Sequence, residues 1–326
     1  MKLKLKTNNT ESLKTALSLI SSLRKYILLR FTPDILYVIS VNGQSISQEP
    51  QVWCKLKMHA IFNQIEIQSL RDNTISLEVN VELLLQTLRN FDKANSDGLN
   101  IRLQRKESTG AQGANSGNSR TASLALFYSN INVNASTINH TFRIPVKILK
   151  NTQDLLLLKE PELHDIDLII KLPQEFVSTY RRLDKFKRSS SNDTVCIKAS
   201  RRGGGFLGFV LEEEGKYRVT ISWNEKLEVL KPFQENVEGE MMIRTELQHI
   251  NGDAGNIDEN DPGEDKEIVV RLKDWQMASK VVSTCKTVYL LLTAKECVLH
   301  CLLEDSDEVE IIYYISGIRI RNAMEY

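Results

Sequence analysis

The chain has 326 residues, 41% hydrophobic and 26% charged, which suffices for about two domains with cores of their own and excludes a fibrous or compositionally disordered protein. Its 42 basic and 42 acidic residues cancel, but seven acids stand against one Lys between Asp253 and Glu267, which leaves the rest of the chain six units positive. Five cysteines, Cys54, Cys196, Cys285, Cys297 and Cys301, are too few and too irregular for a disulfide framework; no apolar run has signal-peptide or membrane-spanning length, so secretion and a membrane span are not expected.

In chain order, "MKLKLKT" (1–7) alternates apolar residues with Lys and reads as a strand. A helix is predicted over 10–25, with Leu13, Leu17 and Ile20 on one side and Lys14, Ser18, Ser21 and Lys25 on the other. "YILLRFTPDILYVIS" (26–40) is β-rich. "TISLEVN" (74–80) is a second strand leading into a helix over Val81–Lys93, whose stripe of Val81, Leu84, Leu85 and Leu88 lies opposite Gln86, Arg89 and Lys93. "LNIRLQR" (99–105) follows as a strand, and 107–122, rich in Gly, Ser and Asn, reads as a surface insertion largely without fixed structure. The segment 145–165 is too irregular for a long helix and too apolar for a free linker, so it is expected to pack on a surface as a connector.

The same pattern then repeats. "IDLIIKLP" (166–173) leads into a helix over 174–188, where Phe176, Tyr180 and Leu183 recur at i, i+4 and i+7 and Arg181, Lys185 and Arg188 take the opposite side, with Arg182 beside them. "DTVCIKAS" (193–200) is β-rich, and 232–265 is a second, acidic insertion. "EIVVRLKD" (267–274) leads into a helix over 274–286, with Trp275, Ala278 and Val282 inward and Lys273, Gln276 and Lys280 outward, before the strand "TVYLLL" (287–292). The expected division is a first domain over 1–145, a connector over 146–165 and a second domain over 166–326.

Charge on a solvated helix face is the default for any one helix. Four such faces side by side on a sheet would merge into one cationic surface, suited to phosphates through counterion release. Lys, Arg, Ser and Gln without interleaved aromatics favour backbone contact over base stacking. Other motifs do not lead to chemistry. "GGGFLG" (203–208) matches G-x-G-x-x-G but precedes a strand-like run, whereas a phosphate loop must open a helix, so a turn between two strands is expected. In "CVLHC" (297–301), strand alternation turns His300 away from Cys297 and Cys301, and these cysteines read as small buried hydrophobes. Neither the five scattered histidines nor the acids Asp165 and Asp167 form a preorganised set. No catalytic residue, metal or cofactor is expected, and the chain is not read as an enzyme.

The two βα-rich halves, the basic helices and the connector resemble a sliding clamp of the proliferating-cell nuclear antigen superfamily. That fold is α+β, with two similar domains and four inner helices on an outer shell of antiparallel sheets. "DILYVIS" (34–40), "VWCKL" (52–56), "IFNQIEIQS" (61–69), "ISLEVNVELLLQTLRNF" (75–91) and "FRIPVKIL" (142–149) resemble, in order, the Hus-type subunit of the nine-one-one DNA-damage checkpoint clamp. The insertions, "MKLKL" (1–5) and "IIYYIS" (311–316) are most similar to its fungal, mitotic-entry-checkpoint form. The likeness is closer over 1–149 than from 166 onward.

The resemblance implies a non-catalytic, nuclear subunit of a heterotrimer with two other clamp-like checkpoint subunits. The ring would surround double-stranded DNA with recessed ends, be placed there by an ATP-driven checkpoint clamp loader, and act indirectly on an ATR-type kinase in cell-cycle signalling and DNA repair. It implies DNA contacts from Lys14, Lys25, Arg89, Lys93, Arg181, Arg182, Lys185, Arg188, Lys273 and Lys280. Subunit contacts would come from "INHTFRI" (138–144), through Ile138, His140, Phe142 and Ile144, and from "KYRVTISW" (216–223), through Tyr217, Val219 and Ile221. The alternatives are a homotrimeric replicative processivity clamp and a DNA-processing enzyme that uses the basic surface for substrate.

Overall fold

The computed structural model describes residues 1–41, 49–94, 96, 98–105, 122–131, 136–150, 157–163, 165–185, 193–213, 216–230, 265–304 and 306–318. Arg188, residues 107–121 and 232–264 of the two expected insertions, and 151–156 of the connector lie outside these.

The order of elements runs twice through one pattern. The first run is β1 (Lys2–Thr7), α1 (Glu11–Ser21), β2 (Tyr26–Phe31), β3 (Ile35–Ser40), β4 (Gln51–Lys57), the single turn α2 (Met58–Ile61), β5 (Gln64–Gln68), β6 (Ile75–Asn80), α3 (Val81–Lys93), β7 (Leu99–Arg105), β8 (Ala122–Ile131) and β9 (Thr137–Ile148). The second run is β10 (Ile166–Leu172), a 3-10 turn (Gln174–Phe176) leading into α4 (Val177–Asp184), β11 (Thr194–Ser200), β12 (Phe206–Glu213), β13 (Tyr217–Trp223), β14 (Glu228–Leu230), β15 (Lys266–Arg271), α5 (Leu272–Met277), α6 (Ser279–Thr284), β16 (Thr287–Thr293), β17 (Glu296–Leu302) and β18 (Val309–Ser316). Setting aside α2 and the break between α5 and α6, each run reads strand, helix, five strands, helix, three strands. The result is an α+β chain of antiparallel sheets, as the sequence predicts.

The chain divides into two compact units: Met1–Glu162 with Lys280–Lys286 and His300–Tyr314, and Leu163–Ser279 with Thr287–Leu299 and Ile315–Tyr326. In the first unit the strands neighbour one another in the order β18-β4-β3-β2-β6-β9-β8-β7-β1-β5. The β18 to β4 pairing within this unit is antiparallel, with Val309 opposite Leu56 and Tyr314 opposite Gln51. In the second unit β14, β10, β16 and β17 are neighbours, and β13-β12-β11-β15 form a separate sheet.

Helical periodicity decides which residues enter each core. In the first unit α1 packs against α3, burying Leu13, Leu17, Ile20, Leu84, Leu85, Leu88 and Phe91. Asn80 caps α3, its side-chain oxygen accepting from the amides of Glu82 at 3.0 Å and Leu83 at 3.4 Å, which satisfies two of the donors a helix start leaves open. In the second unit, the i, i+4, i+7 stripe of Phe176, Tyr180 and Leu183 is buried. Tyr180 stacks on Trp275 at 5.2 Å, Phe176 meets Phe209 at 5.8 Å and Trp223 at 6.1 Å, and Phe209 closes the cluster on Trp275 at 5.3 Å.

Four boundaries differ from the sequence reading, one of them in α4, which ends at Asp184 with Lys185 in a turn where a helix to 188 is expected. The first helix ends at Ser21 instead of 25: the Ser21 and Ser22 hydroxyls donate back to the carbonyls of Ser18 and Leu19, a local competition that disfavours a helix interior. Lys25 therefore lies beyond the helix, with its carbonyl accepting from the Val81 amide at 3.0 Å. The last helix, predicted as one piece over 274–286, starts at Leu272 and is broken at Ala278 into α5 and α6. Val281, Val282, Ser283 and Thr284 are weak helix formers, and both hydroxyls fold onto the Lys280 carbonyl. Finally, residues 146–148, expected in the connector, continue β9 because Val146 and Ile148 pair with Val79 and Leu77 of β6. Further along the connector Leu158 is buried, and Glu160 is held by Lys55 Nζ at 2.7 Å and by the Tyr314 hydroxyl, which donates at 2.9 Å.

The glycine motif is a turn between antiparallel β11 and β12: Gly203, Gly204 and Gly205 have φ of 63°, 84° and 93°, a left-handed run that side chains resist. Cys297 and Cys301 are fully buried in β17. The structure brings together Cys54, Cys285 and Cys301, with a hydrogen bond between the last two, and burial holds the thiols of Cys54 and Cys301 far above the ordinary cysteine range, so they persist as thiols. His300 faces Glu310 at 3.8 Å.

Candidate nucleic-acid interface

The helices bury their apolar stripes; the opposite residues are exposed on α3 and α4, whereas Lys14, Ser18 and Ser21 of α1 and Gln276 of α5, expected outward, are half-buried, with Gln276 donating to Leu183 O at 3.4 Å. On α3, Gln86, Arg89 and Lys93 are exposed, one helical turn apart. The same stripe begins with the exposed Glu82, a carboxylate favoured at a helix N-terminus and not weighed in the sequence reading. On α4, Arg181 and Arg182 are exposed, and so is Lys185, which follows the last helical residue and whose amide donates to Arg182 O at 3.2 Å. Lys273 is exposed on α5. Its neighbour Asp274 is buried and accepts from Arg271 Nε at 2.6 Å, so this acid does not oppose the exposed cation at the surface.

Two cations are engaged within the first unit. Lys14 bonds the Asp92 carboxylate across from α1 to α3, and the Thr10 hydroxyl donates to the same carboxylate at 2.6 Å. Partial burial pushes the Asp92 carboxyl up, but hydrogen bonds from Lys14 and Thr10 and the Lys14 charge outweigh it and hold the group below the ordinary Asp range. Lys280, exposed on α6, donates to the Ser18 carbonyl of α1 at 2.8 Å. Lys25 is exposed. The first unit thus carries Lys25, Arg89 and Lys93 exposed, Lys280 exposed but bonded to Ser18 O, and Lys14 in a clasp, while the second carries Arg181, Arg182, Lys185 and Lys273. Arrays of Lys and Arg on rigid helices suit sequence-independent phosphate contact.

The predicted contact strands are sheet edges over part or all of their length. In β9, residues 137–145 have ladder partners only in β8 among the described residues, and the second edge is taken by β6 from Val146 onward. Ile138 is 40% exposed, His140 stacks on Tyr128 at 4.7 Å, Phe142 is half-buried and Ile144 is buried. The strand β13 is the end of its sheet and, among the described residues, pairs only with β12; Tyr217, Val219 and Ile221 are half-buried. Sequence reasoning missed Leu83. It lies off the apolar stripe of α3, is 43% exposed, and lines a notch of about 190 Å³ with Gln86, Thr87, Asn90, Phe142, Arg143 and Ile144 beside the open edge of β9. The signal was available: a Leu between Glu82 and Leu84 that the helical period sends outward.

Comparison with known proteins follows the same lines. A family model described as Hus1-like protein matches residues 1–319. The DNA damage checkpoint control protein MEC3 of Eremothecium gossypii is 25% identical, over 93% of this chain and 94% of its own length. Its namesake in Saccharomyces cerevisiae is 24% identical over 97% and 99%, and the checkpoint protein hus1 of Schizosaccharomyces pombe is 26% identical over 62% and 63%. The proliferating cellular nuclear antigen of Entamoeba histolytica shares the fold, with a TM-score of 0.60 at 12% identity, covering 97% of this chain and 99% of that one.

Proposed function

Because the chain belongs to the Hus1-like family and has the clamp fold, we propose that it is one subunit of a ring of three different clamp-like checkpoint chains that encircles duplex DNA in the nucleus. It is a non-catalytic clamp protein, so its contribution lies in topology and recruitment. A closed ring holds DNA by encirclement, and its contacts with the duplex can stay weak, non-specific and mobile. The observation that carries this reading is the exposure of Arg89, Lys93, Arg181, Arg182, Lys185 and Lys273 on helices of both repeats, each opposite a buried apolar stripe. Lys25 and Lys280 extend the array, Arg188 would continue it past Lys185, and Lys14 contributes through its clasp with Asp92. We take 1–145 and 166–326 as the two clamp domains, joined by 146–165.

The repeat supports the mode of assembly. Within the chain the last strand of the second run, β18, pairs antiparallel with the fourth of the first run, β4. The counterparts of these strands are β9 and β13, and each has an open edge among the described residues, β9 over 137–145 and β13 along its length. An open edge is a template for another chain. Pairing β9 of one subunit with the β13-like strand of the next would repeat the internal joint between chains, a head-to-tail contact that closes into a ring. The notch at Leu83 would take an apolar side chain of the neighbour. Loading onto DNA with recessed ends by an ATP-driven checkpoint loader, and support of an ATR-type kinase and of repair, follow from the same reading.

Size-exclusion with light scattering tests it. The lone chain should not form a stable trimer, and co-expression with two clamp-like checkpoint subunits of the same source should give a one-to-one-to-one ring. A stable homotrimer of this chain would instead assign a replicative processivity clamp.

A further inference from the structure

A second cationic surface lies on the first unit, on the sheet face turned away from α3. Directly paired residues of antiparallel strands share a face, and successive residues alternate. Tyr128, paired with His140, packs its ring on Phe91 of α3 at 5.4 Å, so Phe127 and Thr141 take the opposite face. The register extends that face into two adjacent rows across β1, β7, β8 and β9: Lys4, Arg102, Ala125, Arg143, and Lys6, Asn100, Phe127, Thr141. Four of these residues are cationic and none is acidic.

The cations differ in what they touch. Lys4 lies 3.4 Å from Glu66 at the sheet edge. Arg102 is exposed, and its guanidinium rests on the Phe127 ring at 4.7 Å. Arg143 is exposed too, with Nε donating to Gln104 Oε1 at 3.4 Å. Among the described residues, neither arginine has a carboxylate partner. Ala125 stands between the two in the ladder and is itself fully buried. Beside them is a concavity of about 400 Å³, lined by Lys6, Asn100, Phe127, Ser129, Asn139 and Thr141, with no acid in its described lining.

A guanidinium placed over an aromatic ring loses part of its freedom, and its fork of donors matches phosphate oxygens bidentately. Two arginines that flank a small residue can close on one phosphate from both sides. The amides and hydroxyls of the concavity offer neutral donors, and Phe127 offers an apolar floor, which together suit the residues beside a phosphorylated side chain. The cations are confined to two rows instead of forming a stripe along which a nucleic-acid backbone could track, and the concavity is larger than a single phosphate needs.

We propose that this sheet face docks a phosphoserine- or phosphothreonine-bearing segment of a partner protein, with Arg102 and Arg143 clamping the phosphate and the concavity holding the adjacent residues. The proposal does not depend on the DNA-encircling reading, because the face is opposite the one that meets α3.

The test uses the full chain and a fluorescein-labelled pool of short peptides with one fixed phosphoserine and random flanks, compared by anisotropy with the same pool unphosphorylated. Phosphorylation should strengthen binding, and the double substitution Arg102→Ala with Arg143→Ala should weaken it by about tenfold or more, as expected for lost bonds to a charged group. Arg102→Lys, which keeps the charge and loses the fork, should also weaken it, and this variant carries the test if the double alanine variant melts early. Inorganic phosphate should compete only at far higher concentration. Equal binding of the two pools, or phosphopeptide binding unchanged in the arginine variants, would overturn the proposal. So would inorganic phosphate competing as well as the peptide, or duplex DNA being the ligand whose binding the variants abolish.

Discussion

Asp92 is where charge couples to stability in the first unit. It receives Lys14 and Thr10, and its carboxyl is held below the ordinary Asp value. A carboxyl with a depressed folded-state pKa stabilises the fold at pH above its unfolded value, and that stabilisation fades as pH falls through the lower, folded one. Asp92→Asn should therefore lower the melting temperature at neutral pH, and the gap from wild type should close on acidification below about pH 4. A gap that stays constant through that range would show that the ionised clasp is not what the substitution removes. Lys14→Ala should destabilise similarly, whereas Arg89→Ala, on the open stripe, should shift stability by no more than about half a kcal/mol. In the second unit the aromatic cluster is the sensitive point: Trp275→Ala should cost roughly 3–5 kcal/mol in denaturant unfolding, since Tyr180 and Phe209 both lose their stacking partner. The burial of Phe176, Tyr180 and Leu183 was legible in their spacing; the Lys14 to Asp92 clasp was not, because its partners are 78 residues apart and no local pattern couples them.

At the scale of elements, periodicity set limits on what could be foreseen. The span of α3 was legible because a strand ends at a capping Asn80 and an unbroken apolar stripe begins at Val81. The break between α5 and α6 was not, since Trp275, Ala278 and Val282 keep a helical period across it while β-branched and hydroxyl residues weaken the second half. Nor does a local pattern tell an edge strand from a central one; that depends on which distant strand arrives. The open edges of β9 and β13 give two predictions. Val219→Pro introduces a residue with no amide donor into an edge strand and should weaken co-purification with one neighbouring subunit while leaving the other contact intact. Leu83→Asp puts a charge into the notch between α3 and β9 and should weaken the contact at the opposite end. Retention of both subunits by both variants at moderate salt would remove these edges from the assembly.

For the whole molecule, the twofold repeat of strand, helix, five strands, helix and three strands relates the internal β18 to β4 joint to its counterpart strands β9 and β13, which have open edges. The neutral net charge conceals how the cations are arranged: they gather on the solvent stripes of helices in both repeats. The central claim is that these stripes face the phosphates of encircled DNA. It is tested most directly by a salt titration of DNA binding by the assembled ring, on linear duplex, with wild type and with Arg89→Glu, Arg181→Glu and Lys185→Glu combined, each ring verified as intact by size-exclusion. Each lost phosphate contact should flatten the slope of log K against log salt by about 0.9, so the triple variant should lose up to ~2.7, with little dependence on DNA sequence. Equal slopes from intact rings would contradict the account and return these residues to an ordinary solvated surface.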